Sequence, residues 1–287
     1  MNEIKEYDIK AWVEEAPNEA NLEFREAVHT ILGAIAADVN LKANMVLKGG
    51  ILLAIRYQSH RYTKDMDFST EKKLGGEITE DKIAESLNQS LSQMVEELDY
   101  DLDCRVQSTK LQPKNPESTF PSIKMKIGYA YKGTPKHKRL LALKSPDIIS
   151  IDYSLNEATP NVEDLKLDFD EGVLAYTLTD LIAEKYRSLL QQVERNRARR
   201  QDVYDLNLLI DRLDDQEKSI ILDCLISKSR ARGIDPEELS FDDPELRERA
   251  ERDYLTLEDE VDGELPDFNE IFEKVSAFYK SLPWGSK

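Results

Sequence analysis

Residues 45–69, MVLKGGILLAIRYQSHRYTKDMDFS, change their hydrophobic period twice. MVLK is a short apolar run of strand character that stops at Gly49-Gly50, ILLAIRYQ resumes at helical spacing, and KDMDFS alternates as a strand does. The order strand, turn, helix, strand requires a layered fold in which helices cover one sheet.

The flanks extend this pattern. NEANLEFREAVHTILGAIAADV, from Asn18, places apolar residues at helical spacing behind Pro17 and a cap at Asn18. ITEDKIAESLNQSLSQMVEEL is a long helix with Thr79 as its cap and acids in its first turn. DLDCRVQSTKL, SIKMKIGYAYK and DIISIDYSL read as strands, separated by a Pro-rich loop at 113–121 and a basic loop at 133–144. From about residue 174 the spacing is helical, with irregular structure expected in the acidic, proline-containing span 235–267. The expected architecture is α+β: residues 1–172 carry a mixed sheet, and residues 173–287 form a helical domain.

At 287 residues the chain can bury one large core or two modest ones. It has no run of eighteen apolar residues, and MNEIKEYDIKAW lacks the apolar stretch of a signal peptide, so a cytoplasmic protein with no membrane partner is expected. Cys104 and Cys224 are isolated, which excludes a disulfide scaffold and a cysteine zinc site. A net charge of −18 argues against binding polyanions, but the charge is segregated. Residues 211–270 hold 21 acids against 8 bases, whereas 132–144 hold five bases and no acid, and 184–200 hold six bases against two acids. Such asymmetry fits a polyanion on one face and a basic partner on another.

The chemistry-bearing residues cluster around the opening block. A glycine pair at a strand end allows a sharp turn and close approach of a ligand to the backbone. The helix that follows directs unpaired N–H groups and its positive end outward, which suits phosphate. Asp65 and Asp67, two apart on a strand, share a face while Met66 and Phe68 point to the core. Two carboxylates about 4 Å apart repel by roughly 4 kcal/mol at an effective dielectric of 20, so a cation between them is expected, and magnesium fits because it takes few carboxylates and completes its shell with phosphate and water. Asp-x-Asp also occurs at 99/101, 101/103 and 168/170, but only 65/67 lies one helix downstream of a glycine pair.

Arg61, Thr63 and Lys64 supply donors that can steady a triphosphate or orient Asp65. Asp152, behind an apolar β-branched run, is the best third acid, either as a metal ligand or as a general base; Asp147 and Glu157 are poorer candidates. Lys185 stands on the apolar face of its helix, where a phosphate contact or an ion pair would account for it. Asp202 and Asp205, three apart on a helix, share a face.

Assembled in this order, the blocks LKGGILLAIRYQSHRYTKDMDFS and DLIAEKYRSLLQQVERNRARRQDVYDLNLL resemble the AbiEii/AbiGii toxin family, nucleotidyltransferases of the polymerase-beta-like superfamily that also includes the MenT toxins. The resemblance covers roughly residues 20–215. It departs at Gln201, where the family usually has a base, although Arg199 and Arg200 adjoin it. It implies a polymerase-beta-like nucleotidyltransferase domain, magnesium-dependent use of a nucleoside triphosphate, and service as the toxin of a toxin–antitoxin or phage-defence pair with a cognate antitoxin. It marks Gly49, Gly50, Asp65 and Asp67 as the nucleotide and metal block, and Lys185 with Asp202 or Asp205 as further active residues. The expected reaction moves a nucleoside monophosphate from the triphosphate to an acceptor, first of all the 3′ end of tRNA. The alternatives are transfer to a protein or small molecule, and a nucleotide-binding regulator without turnover.

Overall fold

Local capping defines the first layer. The Asn18 side chain accepts the Asn21 amide and starts α2 (Glu19–Ala37), and Thr79 accepts the Lys82 amide at the start of α5 (Glu80–Glu97), both as the sequence indicates. The computed structural model describes residues 8–115, 118–167 and 172–286. They form two units, a sheet unit and a helical unit. The sheet unit comprises residues up to Arg56, Lys64–Glu157 and Glu163–Ala175. The helical unit comprises Tyr57–Thr63, Ala158–Val162 and the chain from Tyr176 onward.

In the sheet unit, α1 (Ile9–Glu14), α2 and α3 (Val39–Asn44) lead into β1 (Val46–Lys48), α4 (Gly49–Tyr57) and β2 (Asp65–Ser69). After α5 come β3 (Leu102–Gln112), β4 (Ser122–Tyr131), α6 (Pro135–Leu141), β5 (Ile148–Ser154), β6 (Val162–Lys166) and β7 (Gly172–Tyr176). The strands form one mixed sheet in the order β3-β4-β5-β2-β1-β7-β6. β2 is parallel to β5 and antiparallel to β1, while β7 runs parallel to β1. The helices α2 and α5 pack over one face, against β3 and β4, where Ile123, Met125, Ile151, Tyr153, Met66 and Phe68 are buried. Burial alternates along β5, so its even-numbered residues stand on the opposite face.

Three features differ from the sequence reading. The basic stretch expected as a loop contains α6, which Thr134 caps by accepting the His137 amide and Pro135 opens at a position that needs no amide donor. The sequence reading does not include strands β6 and β7; β7 lies between β1 and the edge strand β6. β7 is a five-residue apolar run, GVLAY, followed directly by a helix, and so short a run carries no period of its own. The boundary placed near residue 172 therefore falls at the first residue of β7.

The helical unit contains α7 (Leu178–Gln191), α8 (Arg200–Ile210), α9 (Lys218–Ala231), α10 (Pro244–Glu251) and α11 (Phe268–Lys280), with α7 packed on both α8 and α9 and α11 packed on α8. The acidic span 235–267 includes α10 and two 3-10 turns and is tied into this core by aromatic residues. Phe241 lies 4.4 Å from Tyr279 and 5.4 Å from Tyr186, ring centre to ring centre, and the Tyr279 hydroxyl donates to the Glu237 carbonyl at 2.9 Å. Burying large rings here offsets the cost of ordering a segment rich in like charges. Phe241→Ala should therefore destabilise the helical unit by roughly 3–5 kcal/mol, read as a shifted urea midpoint, whereas an irregular tail detached from the core would leave the midpoint unchanged.

Candidate active site

The parallel register of β2 and β5 sets Asp67 opposite Asp152 and Asp65 opposite Ser150. The antiparallel neighbours extend the first of these pairs: Lys48 on β1 is opposite Asp67, Lys124 on β4 is opposite Asp152, and Lys110 on β3 is opposite Lys124. Five strands thus carry one transverse row, Lys110, Lys124, Asp152, Asp67 and Lys48. Residues in register share a face, so the row stands on the side away from the buried Met66, Phe68, Ile151 and Tyr153. A cleft of about 400 Å³ opens over it, lined by Asp65, Asp67 and Asp152 together with Ser108, Lys110, Lys124 and Lys126.

Gly49, the first residue of α4 directly after β1, has φ +73°, and a Cβ added there would collide with the Asp67 carboxylate. Only glycine allows both the left-handed turn and that approach. Gly50 follows in the first turn of α4 and takes no positive φ. Burial, reinforced by the negative charges of Asp152 and Asp65, pushes the Asp67 carboxyl up to about 6 in spite of Lys48 and Lys124. One Asp152 oxygen, Oδ2, receives the Lys124 ammonium, and the other, Oδ1, is buried with no hydrogen-bond partner.

These donors suit a hard divalent cation: they are carboxylate oxygens, one of them unpartnered, on adjacent in-register strands. Among the described residues, however, no three His, Cys, Asp or Glu side chains are grouped to hold a metal by themselves. Asp65, Asp67 and Asp152 share the cleft without forming a three-carboxylate cage. Of the other acids considered, Asp103 is occupied by Arg105 and His137, Asp147 pairs with Lys136 at 2.7 Å, and the 168/170 pair lies outside the described residues.

The helical unit holds a second charged cluster. Lys185 Nζ lies 2.6 Å from Asp205 Oδ2 and 3.1 Å from Asp202 Oδ1, and the Arg61 guanidinium forks onto both oxygens of Asp205 at 3.1 Å. Asp205 is fully buried, and Lys185 and Asp202 are nearly so. Burial would raise the Asp205 carboxyl, but Lys185 and Arg61 outweigh it and hold the group below its ordinary value. Burial would likewise lower the Lys185 ammonium, and the two aspartates hold it above its ordinary value. Two cations and two anions thus neutralise one another, each through charge-assisted hydrogen bonds.

Arg61, expected as a triphosphate donor, is therefore committed to Asp205. Thr63 is partly buried and Lys64 exposed, and neither lines the cleft. Lys48, Lys110, Lys124 and Lys126 had no place in the sequence reading. The alternation in SIKMKIGY, which puts Lys124 and Lys126 on the polar face of their strand, was the available signal. Neither basic patch lines the cleft, and in the second Lys185 and Arg187 are buried in ion pairs, Arg187 with Glu184 at 2.6 Å.

The fold is similar to JHP933 from Helicobacter pylori, with a TM-score of 0.52 at 15% identity over 92% of each chain. It is also similar to MenT4, a nucleotidyltransferase toxin from Mycobacterium tuberculosis H37Rv, with a TM-score of 0.53 at 15% identity over 96% of this chain and 90% of that one. No curated protein sequence matches the chain. The model of the nucleotidyl transferase AbiEii toxin family, of type IV toxin–antitoxin systems, matches residues 30–274, which carries the likeness beyond residue 215 and through the acidic segment. The chain belongs to the AbiEii nucleotidyltransferase toxin family.

Proposed function

We propose that the chain transfers a nucleoside monophosphate from a triphosphate to an acceptor hydroxyl, releasing pyrophosphate, and that the 3′ end of tRNA is the acceptor. The observation that carries the reaction is the in-register pair Asp67 and Asp152, with Gly49 against the first and lysines on both sides. Asp67 and Asp152, with Asp65 nearby in the same cleft, are the residues that would hold magnesium, whose chemistry there is to neutralise phosphate charge as the bond to the leaving pyrophosphate breaks.

The chain's own groups do the rest. The turn at Gly49 brings backbone and the start of α4 to the Asp67 carboxylate, where N–H groups of the first helical turn can donate to phosphate oxygens. Gly50 keeps the first helical turn free of a side chain there. Lys110, Lys124 and Lys126 line the cleft and supply positive charge to a phosphate chain or to the backbone of a nucleic-acid acceptor. Asp152 Oδ1, the unpartnered oxygen, is open either to the cation or to the proton of the acceptor hydroxyl. Lys185, Asp202 and Asp205 are assigned as the helical unit's active residues, on the strength of their match to the family's later motif and their mutual ion pairs. We place the reaction in the cytoplasm, where triphosphates and tRNA occur, and assign it to toxicity or phage defence held in check by a cognate antitoxin. Among the described residues no helix is long and apolar enough to cross a membrane.

Each of the four labelled triphosphates, incubated with magnesium and total tRNA, should yield label at the tRNA 3′ end with at least one base. Label that enters cell protein or an added aminoglycoside instead would replace tRNA as the acceptor. Binding of triphosphate with no pyrophosphate released for any acceptor would leave a nucleotide-sensing protein.

Asp67→Asn should lower transfer by more than about a hundredfold, the scale of losing a group that stabilises transition-state charge. Its effect on stability has a defined sign. The Asp67 carboxyl titrates near 6 in the fold, above its ordinary 3.8, so the folded protein binds the extra proton and loses stability as pH rises between those values. The asparagine variant should therefore be more stable than the parent at pH 7.5 without metal, by on the order of 1 kcal/mol, and the gain should vanish toward pH 4 in thermal melts. Lys185→Met should instead destabilise the helical unit by roughly 3–5 kcal/mol, because it leaves buried carboxylates short of their cation; an unchanged denaturation midpoint would refute the ion-pair arrangement.

A further inference from the structure

Each carboxylate at the centre of the transverse row has a lysine opposite it on the outer side. Asp152 and Asp67 stand side by side, and a lysine sits in register on each outer flank, Lys124 against Asp152 and Lys48 against Asp67. Lys124 also contacts Asp152 Oδ2 directly, on the same side chain whose Oδ1 is buried and unpartnered. Its side chain is 41% exposed and lines the cleft, so the ammonium can move without disturbing the core. A divalent cation that joins this row alone brings two positive charges to carboxylates already faced by lysines and meets two ammonium groups close by. A divalent cation that arrives with a triphosphate brings its own negative charge, and Lys124 then has phosphate oxygens to move to, beside Lys110 and Lys126.

We infer that Lys124 is a built-in counter-ion that holds Asp152 until nucleotide binds and makes divalent-metal binding conditional on the nucleotide's phosphates. Lys124 is thus a positioning residue with two partners, the carboxylate before loading and the phosphate chain after it. Metal and nucleotide affinities are coupled through it, and the coupling is reciprocal. The site stays closed to free cations in a cell where magnesium is abundant. This inference rests on the assignment of Asp67 and Asp152 as metal-holding residues in the proposed reaction.

The test counts bound Mn²⁺ by equilibrium dialysis of the full-length protein, as the metal retained on the protein side in excess of the protein-free side, with and without an equimolar set of the four α,β-methylene triphosphates present on both sides. In the parent protein Mn²⁺ alone should bind weakly, and the analogues should tighten it. Lys124→Gln, and Lys124→Ala as a second neutral variant, should bind Mn²⁺ alone about tenfold more tightly, since a unit charge close to the ion has gone, while the tightening produced by the analogues shrinks. Lys124→Arg, which keeps the charge, should behave as the parent does. A merely structural role for Lys124 would not raise metal affinity on its removal. Equal Mn²⁺ affinities in parent and neutral variants, with the nucleotide effect intact, would overturn the inference and leave the proposed reaction standing. Mn²⁺ that fails to bind any form even with the analogues would remove both.

Discussion

Two carboxylates held in register on neighbouring parallel strands are the constraint around which the sheet unit is arranged. Asp67 and Asp152 cannot move apart without breaking the β2–β5 ladder, so their repulsion is fixed by the backbone rather than relieved by side-chain motion. The rest of the cleft answers that repulsion. Lys48 and Lys124 flank the pair, and the Asp67 carboxyl holds its proton up to about 6. Because the strand pairing that creates the pair also buries Met66, Phe68, Ile151 and Tyr153 on the far face, core formation and site formation are one event. A one-residue slip of β2 would turn its carboxylates into the core and its Met and Phe into the cleft.

The helical unit handles buried charge in the opposite manner. There the opposite signs already meet: Asp205 receives both Lys185 and the forked Arg61, and every member of the cluster gains a partner within hydrogen-bonding distance. The result is a carboxylate held below its ordinary value, in contrast to Asp67, which is held above it. A satisfied network of this kind fixes geometry, whereas the row in the sheet unit, with an unpartnered oxygen on Asp152, retains capacity for a ligand.

How far the sequence discloses this depends on how local each feature is. The caps at Asn18 and Thr79, the alternation of Asp65, Met66, Asp67 and Phe68, and the turn at Gly49 follow from neighbours a few residues away, and all could be read directly. Asp152 could be suspected from its place in an apolar strand, but its position opposite Asp67 is a matter of register, which no single strand encodes. Lys124 illustrates the same limit: its polar-face position is visible in SIKMKIGY, yet its partner lies 28 residues on. Arg61 was assigned to phosphate because it precedes the acids, and its actual partner, Asp205, is 144 residues away. β6 and β7 escaped notice because such short runs acquire strand character only from the sheet they join.

The difference between the two charged clusters bears on which of them is the reacting centre. A fold under pressure for stability alone would replace Asp67 by a neutral residue, since its raised carboxyl shows that ionisation there is opposed by the surroundings. The chain instead keeps the acid and gives up any side chain at residue 49 to make room for it. It also leaves the neighbouring Asp152 with one oxygen unpaired. Three local sacrifices at one point on the sheet, none of which improves packing, find a common physical rationale in the proposed reaction, where a cation and the phosphates that accompany it would join the carboxylate pair. The Arg61, Lys185, Asp202 and Asp205 cluster makes no such sacrifice: its charges are matched among themselves, whereas the carboxylate pair on the sheet keeps an oxygen without a partner.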